Sequence, residues 1–288
     1  GNYRLQMSAA VFVNNLSRQN ERSLNSVEIE EEPTTPRARA EIVVEMEICI
    51  DSVSSAINAE KAGASRVELC SNLIEGGTTP SLGTFQVIKE LTAIPVFVMV
   101  RPRGGDFLYS DTEFDVMRKE IEIFKEHKAD GFVFGILNSD GTVDKKRNKE
   151  LLDLCRPSKV TFHRAFDVTV DGNQALEHII EMGFDRILTS GMEATVLEGL
   201  PFLKQLVDQA GDRIIIVPGG GISEKNLSRI LDGCNAKEFH GSARSSEPSG
   251  MEYTRSGVPM GGALYPAENV IKTSNINRIR TMIDIAKL

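Results

Sequence analysis

The stretch Met46-Glu47-Ile48-Cys49-Ile50-Asp51, followed after Val53–Lys61 by Arg66-Val67-Glu68-Leu69-Cys70, decides the fold. Its two ends are short apolar runs. Between them, apolar residues recur at helical spacing, and Gly63 stands where a helix would stop. Strand, helix, strand in this order implies parallel strands joined by a right-handed crossover. The same unit then repeats. Further strands are expected at Val96–Arg101, Gly131–Leu137, Lys159–Arg164, Arg186–Ser190, Arg213–Val217 and Glu238–Gly241. Helical spacing fills the intervals at Leu82–Leu91, Glu113–Glu126, Lys145–Cys155, Gln174–Met182, Leu197–Gln209 and Glu224–Leu231, with Ile276–Ala286 closing the chain. Gly131, Gly183, Gly211 and Gly233 are read as further helix stops. Eight such units predict an α/β fold, a (β/α)8 TIM barrel. A doubly wound open sheet is the alternative, but no GxGxxG opens the first helix.

The pattern starts near residue 46. Before it, Glu28–Pro36 carries four glutamates, two prolines and two threonines without any period. Residues 1–45 are therefore read as a disordered extension and 46–288 as the barrel domain. The first twenty residues are basic and faintly resemble an organelle transit peptide, but the acidic turn that follows favours a plain tail. The stretch 245–274 has little periodicity and is long for a loop in a compact domain. It is read as a cover for the barrel mouth or a subunit contact, with Tyr253, Met260 and Tyr265 as anchors.

The chain has 288 residues and a net charge of −8, which argues against broad nucleic-acid binding. No apolar run approaches the ~20 residues of a membrane span. Four cysteines are too few for a disulfide scaffold and suit a reducing compartment.

Barrel active sites lie at the C-terminal ends of the strands, and here those ends are polar. Period-two alternation puts Glu47, Cys49 and Asp51 on one face and Arg66, Glu68 and Cys70 on another. Arg101, Arg103, His163, Arg164 and Asp167 follow later strands, and strand eight carries His240 and Ser242. Such groups cost about 1–3 kcal/mol each if buried unpaired, so they form either an ion-pair network or a site. Gly219-Gly220-Gly221 and Ser242 follow strands seven and eight, where this fold commonly binds phosphate, with Ser223 as a helix N-cap. With Arg101 and Arg103 they are candidate anion ligands. His163, Glu68, Arg101 and Arg164 are the candidate catalytic groups for a small phosphorylated or carboxylated metabolite, His163 as general acid or base. Cys49 and Cys70 lie on neighbouring strands, ~4.8 Å apart. Either they are core thiols or they share one soft ion such as Cu(I). Cys155 and Cys234 have no such partner and are read as packing residues.

Several stretches together resemble the CutC copper homeostasis family, its animal members above all. They are Met46–Ser52, Arg66–Ser71, Glu75–Ser81, Arg101–Phe107, Thr161–Asp167, Leu188–Gly191 and Pro218–Ile222. The resemblance runs from about Met46 to the C-terminus. It implies a TIM-barrel-like fold, cytoplasmic residence (the nucleus being the alternative), copper handling and a homo-oligomer. It also implies that Cys49 and Cys70, which match the family's paired cysteines, bind Cu(I). In a copper site built on that pair, Glu68 and Asp51 are expected to support the thiols. No nucleic-acid or membrane partner is expected.

Overall fold

The computed structural model describes residues 44–255, 257–260 and 268–287. The expected extension up to residue 43, and the anchor Tyr265, lie outside the described residues.

Eight parallel strands alternate with helices. The units are β1 Glu45–Ile50 with α1 Val53–Ala62, β2 Arg66–Leu69 with α2 Leu82–Leu91, β3 Val96–Met99 with α3 Asp111–Glu126, and β4 Gly131–Phe134 with α4 Lys145–Cys155. They continue with β5 Lys159–Phe162 and α5 Gly172–Met182, β6 Arg186–Thr189 and α6 Val196–Ala210, β7 Ile215–Pro218 and α7 Leu227–Cys234, and β8 Glu238–Gly241. Spatial order follows chain order from β1 to β7, and β8 pairs with β1. A parallel bridge between Gly219 and His240 joins the β7 end to β8 and closes the barrel. The predicted (β/α)8 architecture is the observed one.

Alternation along the strands separates two apolar layers. Ile48, Val67, Val98, Phe132 and Phe162 face outward into the main core, against helix residues such as Leu176 and Ile179 of α5. The inward face is different. Phe97, Met99 and Val133 pack there with Cys70, and Cys49 lies against them. Gly131 is no helix stop. It opens β4, and a Cβ there would sit 2.6 Å from the Phe97 ring, so glycine makes room for that inward ring. Gly233 likewise lies inside α7, whose C-cap is Asn235, and α7 begins after Asn226 rather than Ser223.

Residues after β8 correct one expectation. They form an antiparallel hairpin, β9 Arg244–Pro248 with β10 Val270–Ser274, before α8 Ile276–Ala286. Between β9 and β10 in the chain, Met251, Tyr253 and Met260 are exposed, and none of them lines the cavity at the barrel mouth. No helix among the described residues is long and apolar enough to cross a membrane.

The floor of the barrel is ionic. Arg66 donates from Nε to Glu47 Oε2 at 2.5 Å and from Nη2 to Glu238 Oε2 at 2.6 Å. Arg186 donates to both oxygens of Glu238, at 2.8 and 3.0 Å. Both guanidiniums lie over the Phe97 ring. Removing one member of a buried ion pair strands its partner and costs about 3–5 kcal/mol. Arg66→Ala should therefore lower urea-measured stability by about that amount. A loss below about 1 kcal/mol, the ordinary surface-pair value, would contradict this picture.

Candidate functional site

Parallel register sets the site. Glu47 pairs in register with Arg66 on one side and with His240 on the other, so three strands bring these residues to one height. His240 Nδ1 lies 2.7 Å from Glu47 Oε1, while Arg66 occupies the other Glu47 oxygen. Burial would raise the Glu47 carboxyl, but Arg66 and His240 outweigh it and hold it at about 2. Glu47 is thus ionised and accepts Nδ1–H, which leaves Nε2 of His240 facing the next layer. That nitrogen is 3.9 Å from Glu68 Oε2.

One step up, Cys49 is in register with Glu68, and Cys70 follows the end of β2. The two sulfurs are 4.0 Å apart, and Cys70 Sγ lies 3.5 Å from Glu68 Oε2. Ligand atoms of Cys49, Glu68 and His240 all fall within 4.8 Å of one another. A hydrogen bond from Cys70 draws the Cys49 thiol down to about 5 against its burial, and His240 helps. Cys70, the donor of that bond and itself buried, moves well above the ordinary thiol value. Burial and the Cys49 thiolate raise Glu68. Burial works against a charged His240, but the acidic groups around it, Glu68 first, raise it well above its ordinary value. The result is a buried thiol pair with an oriented imidazole beside it.

This centre occupies one corner of a cavity of about 550 Å³, whose walls also include Arg101, His163, Arg164, Gly219–Gly221 and Ser242. Several sequence expectations change there. Arg101 does not present its whole guanidinium to the cavity. Nη1 donates to the carbonyls of Glu75 and Gly77 and Nη2 to that of Gly105, at 2.7–2.9 Å, so it ties two loops together. Arg103 is not a cavity residue. It donates to Asp106 and the Leu108 carbonyl within its own loop and to Glu113 in the first turn of α3, and it lies over the Tyr109 ring. Asp51 supports no thiol but pairs with Arg244 at 3.0 Å. Arg164, in a 3-10 turn Arg164–Val168, donates to Asp167 and Ser190 at 2.7 Å. Its Nη1 lies 3.4 Å from where a Cβ on Gly220 would stand, and the φ of +123° at Gly220 is a backbone conformation that favours glycine.

His163 is 3% exposed, and its Nδ1 accepts from the Ala165 N–H at 3.3 Å. The ring proton is therefore on Nε2, which has no partner. Burial, then Arg101, lowers its pKa to about 3. At neutral pH it is a neutral hydrogen-bond donor, not the imidazolium of a general acid. Cys155 and Cys234 are buried packing residues, the latter donating to the Ile230 carbonyl. The sequence reading missed His240 as a member of the thiol centre. The signal was present: Glu238 and His240 share a face in β8, and a closed barrel puts β8 beside β1.

A family model described as the CutC family matches residues 44–245. A mouse protein, "Copper homeostasis protein cutC homolog", is 56% identical over 242 residues, 84% of this chain and 89% of its own length. A human protein of the same name is 54% identical over the same shares. A crystal structure of CutC from Streptococcus agalactiae superposes with a TM-score of 0.66 at 35% identity, covering 69% of this chain and 98% of that one. Phosphoribosylanthranilate isomerase from Pyrococcus furiosus, at 12% identity and a TM-score of 0.51, shares the barrel fold.

The contrast among thiols is measurable. A thiol lowered to about 5 is thiolate at pH 7, whereas Cys70, Cys155 and Cys234 are raised and stay protonated there. Metal-free protein treated with iodoacetamide at pH 7 should be alkylated first at Cys49, and labelling should fall off as pH drops through 5. Peptide mass spectrometry showing Cys155 or Cys234 modified first would contradict the assignment.

Proposed function

The chain belongs to the CutC family, and on that premise we propose that it handles copper, taking Cu(I) as cargo at Cys49 and Cys70 with His240 as a third donor. The observation that carries this reading is the 4.0 Å separation of the two sulfurs beside His240 and Glu68. Metal–thiolate bonds are about 2.3 Å, so two of them reach about 4.6 Å when opposed. At 4.0 Å one ion touches both sulfurs in a bent arrangement, with room for a third ligand. Soft thiolates with an imidazole suit Cu(I).

The supporting residues do what a metal histidine requires. Glu47 accepts a hydrogen bond from Nδ1–H, which fixes the tautomer and leaves Nε2 as the atom that would hold a metal. Arg66 in turn fixes Glu47. Cys49 is poised as a thiolate, and ligation releases the Cys70 proton and that of His240 Nε2. Glu68 takes a proton more readily than an exposed carboxyl does, so it adds little charge to an ion held by two thiolates.

The family reading extends to a cytoplasmic, homo-oligomeric protein. Four free thiols support a reducing compartment. Exposed Met251, Tyr253, Val258 and Met260 after β9 support self-association.

Titration of reduced protein with Cu(I) under a competing chelator tests the centre. Cys49→Ser with Cys70→Ser should abolish the tight site. Glu47→Gln, which frees the His240 tautomer, should weaken it roughly 10–100-fold. Unchanged stoichiometry and affinity in the double variant would sink the proposal.

A further inference from the structure

Two arginines in the barrel interior are fully buried, and they are treated differently. Arg66, 4% exposed, faces three carboxylates, of Glu45, Glu47 and Glu238. Arg101, 5% exposed, has none within ion-pair distance among the described residues. Its guanidinium meets neutral carbonyls and the Phe107 ring, 5.1 Å away. Tyr109 stands nearby, but burial pushes its hydroxyl up to about 12, so it supplies no negative charge. A buried cation without a counter-charge is costly, and proteins ordinarily pair it.

The neighbouring wall has the same deficit. Phe107 packs tilted against His163, ring centroids 4.9 Å apart, so Arg101, Phe107 and His163 form one continuous face of the cavity. His163 Nε2–H is buried without an acceptor. Burial first, and then the Arg101 charge, make this imidazole hard to protonate, and an anion seated here would neutralise the second. Across the cavity, the N–H groups of Gly221 and Ile222 donate to no acceptor among the described residues, and Arg164 Nη1 stands beside Gly220. Glu68 Oε1 is a further unpartnered polar atom in the same walls. The volume, about 550 Å³, far exceeds one ion and lies in the range of organic-ligand pockets.

We propose that the cavity is a binding site for a small organic anion, a carboxylate or phosphate, whose charged group sits against Arg101 and accepts the His163 Nε2–H. The rest of the molecule extends toward the Gly221–Ile222 amides and offers a hydroxyl or amine to Glu68. This site adjoins the thiol centre, meeting it at Glu68, and requires no metal.

Calorimetric titration of the copper-free chain with inorganic phosphate and with malate, against chloride at matched ionic strength, tests it. At least one probe should bind saturably with one site, and which one binds distinguishes phosphate from carboxylate ligands. His163→Phe keeps the aromatic face but removes the donor, and should weaken that binding roughly ten- to hundred-fold. His163→Gln restores an N–H and should recover most of it. The proposal is overturned if neither probe binds wild-type protein above the chloride control, an arm that depends on no variant folding. It is equally overturned if folded His163→Phe binds as tightly as wild type. Copper is absent throughout, so the outcome does not depend on the thiol centre.

Discussion

The constraint on which this barrel depends is the buried chain Arg186–Glu238–Arg66–Glu47–His240. Barrel interiors are ordinarily filled with branched apolar side chains, whereas here the floor is ionic. Each member has two jobs. Glu238 bridges two guanidiniums, and Arg66 bridges two carboxylates. Glu47 neutralises Arg66 with one oxygen and fixes His240 with the other. Because the pairing runs through strand register, a slip of one residue in β1 would turn Glu47 and Cys49 out toward the helices. Buried ion pairs are weak evidence for stability, since apolar replacements are often as stable. Their retention here is better explained by what they hold in place, an imidazole aimed at two thiols.

Much of this was legible in the sequence. Periodicity located all eight strands within a few residues, because parallel strands buried on both faces read as short apolar runs. Alternation put Cys49 and Cys70 on neighbouring inward faces, and the structure brings their sulfurs to 4.0 Å. What stayed hidden involved long separation or competition for donors. Glu47 and His240 are 193 residues apart, and only barrel closure makes them neighbours. Arg101 and Arg103 both look like anion ligands as a motif. Which of them faces the cavity depends on whether loop carbonyls or a nearby glutamate take the guanidinium, and composition does not encode that. The β9–β10 hairpin was missed because its exposed residues lack alternation: Arg244–Pro248 is almost wholly polar.

The net charge of −8 concealed an uneven distribution. Acidic groups gather around the imidazole and thiols, where a cation is favoured. The β3–β5 wall holds Arg101 without a carboxylate and an imidazole that resists protonation. A single cavity therefore carries two opposite preferences a few side chains apart.

Glu68 stands where the two preferences meet. Its Oε2 faces Cys70 and His240, while its Oε1 has no partner. A carboxylate fully ionised at this point would favour a metal cation and repel an organic anion. A carboxyl that holds its proton readily, as burial and the Cys49 thiolate make this one, repels neither. It can donate toward a sulfur and still accept from a ligand hydroxyl. That is the physical condition under which a cation centre and an anion-binding wall share one cavity.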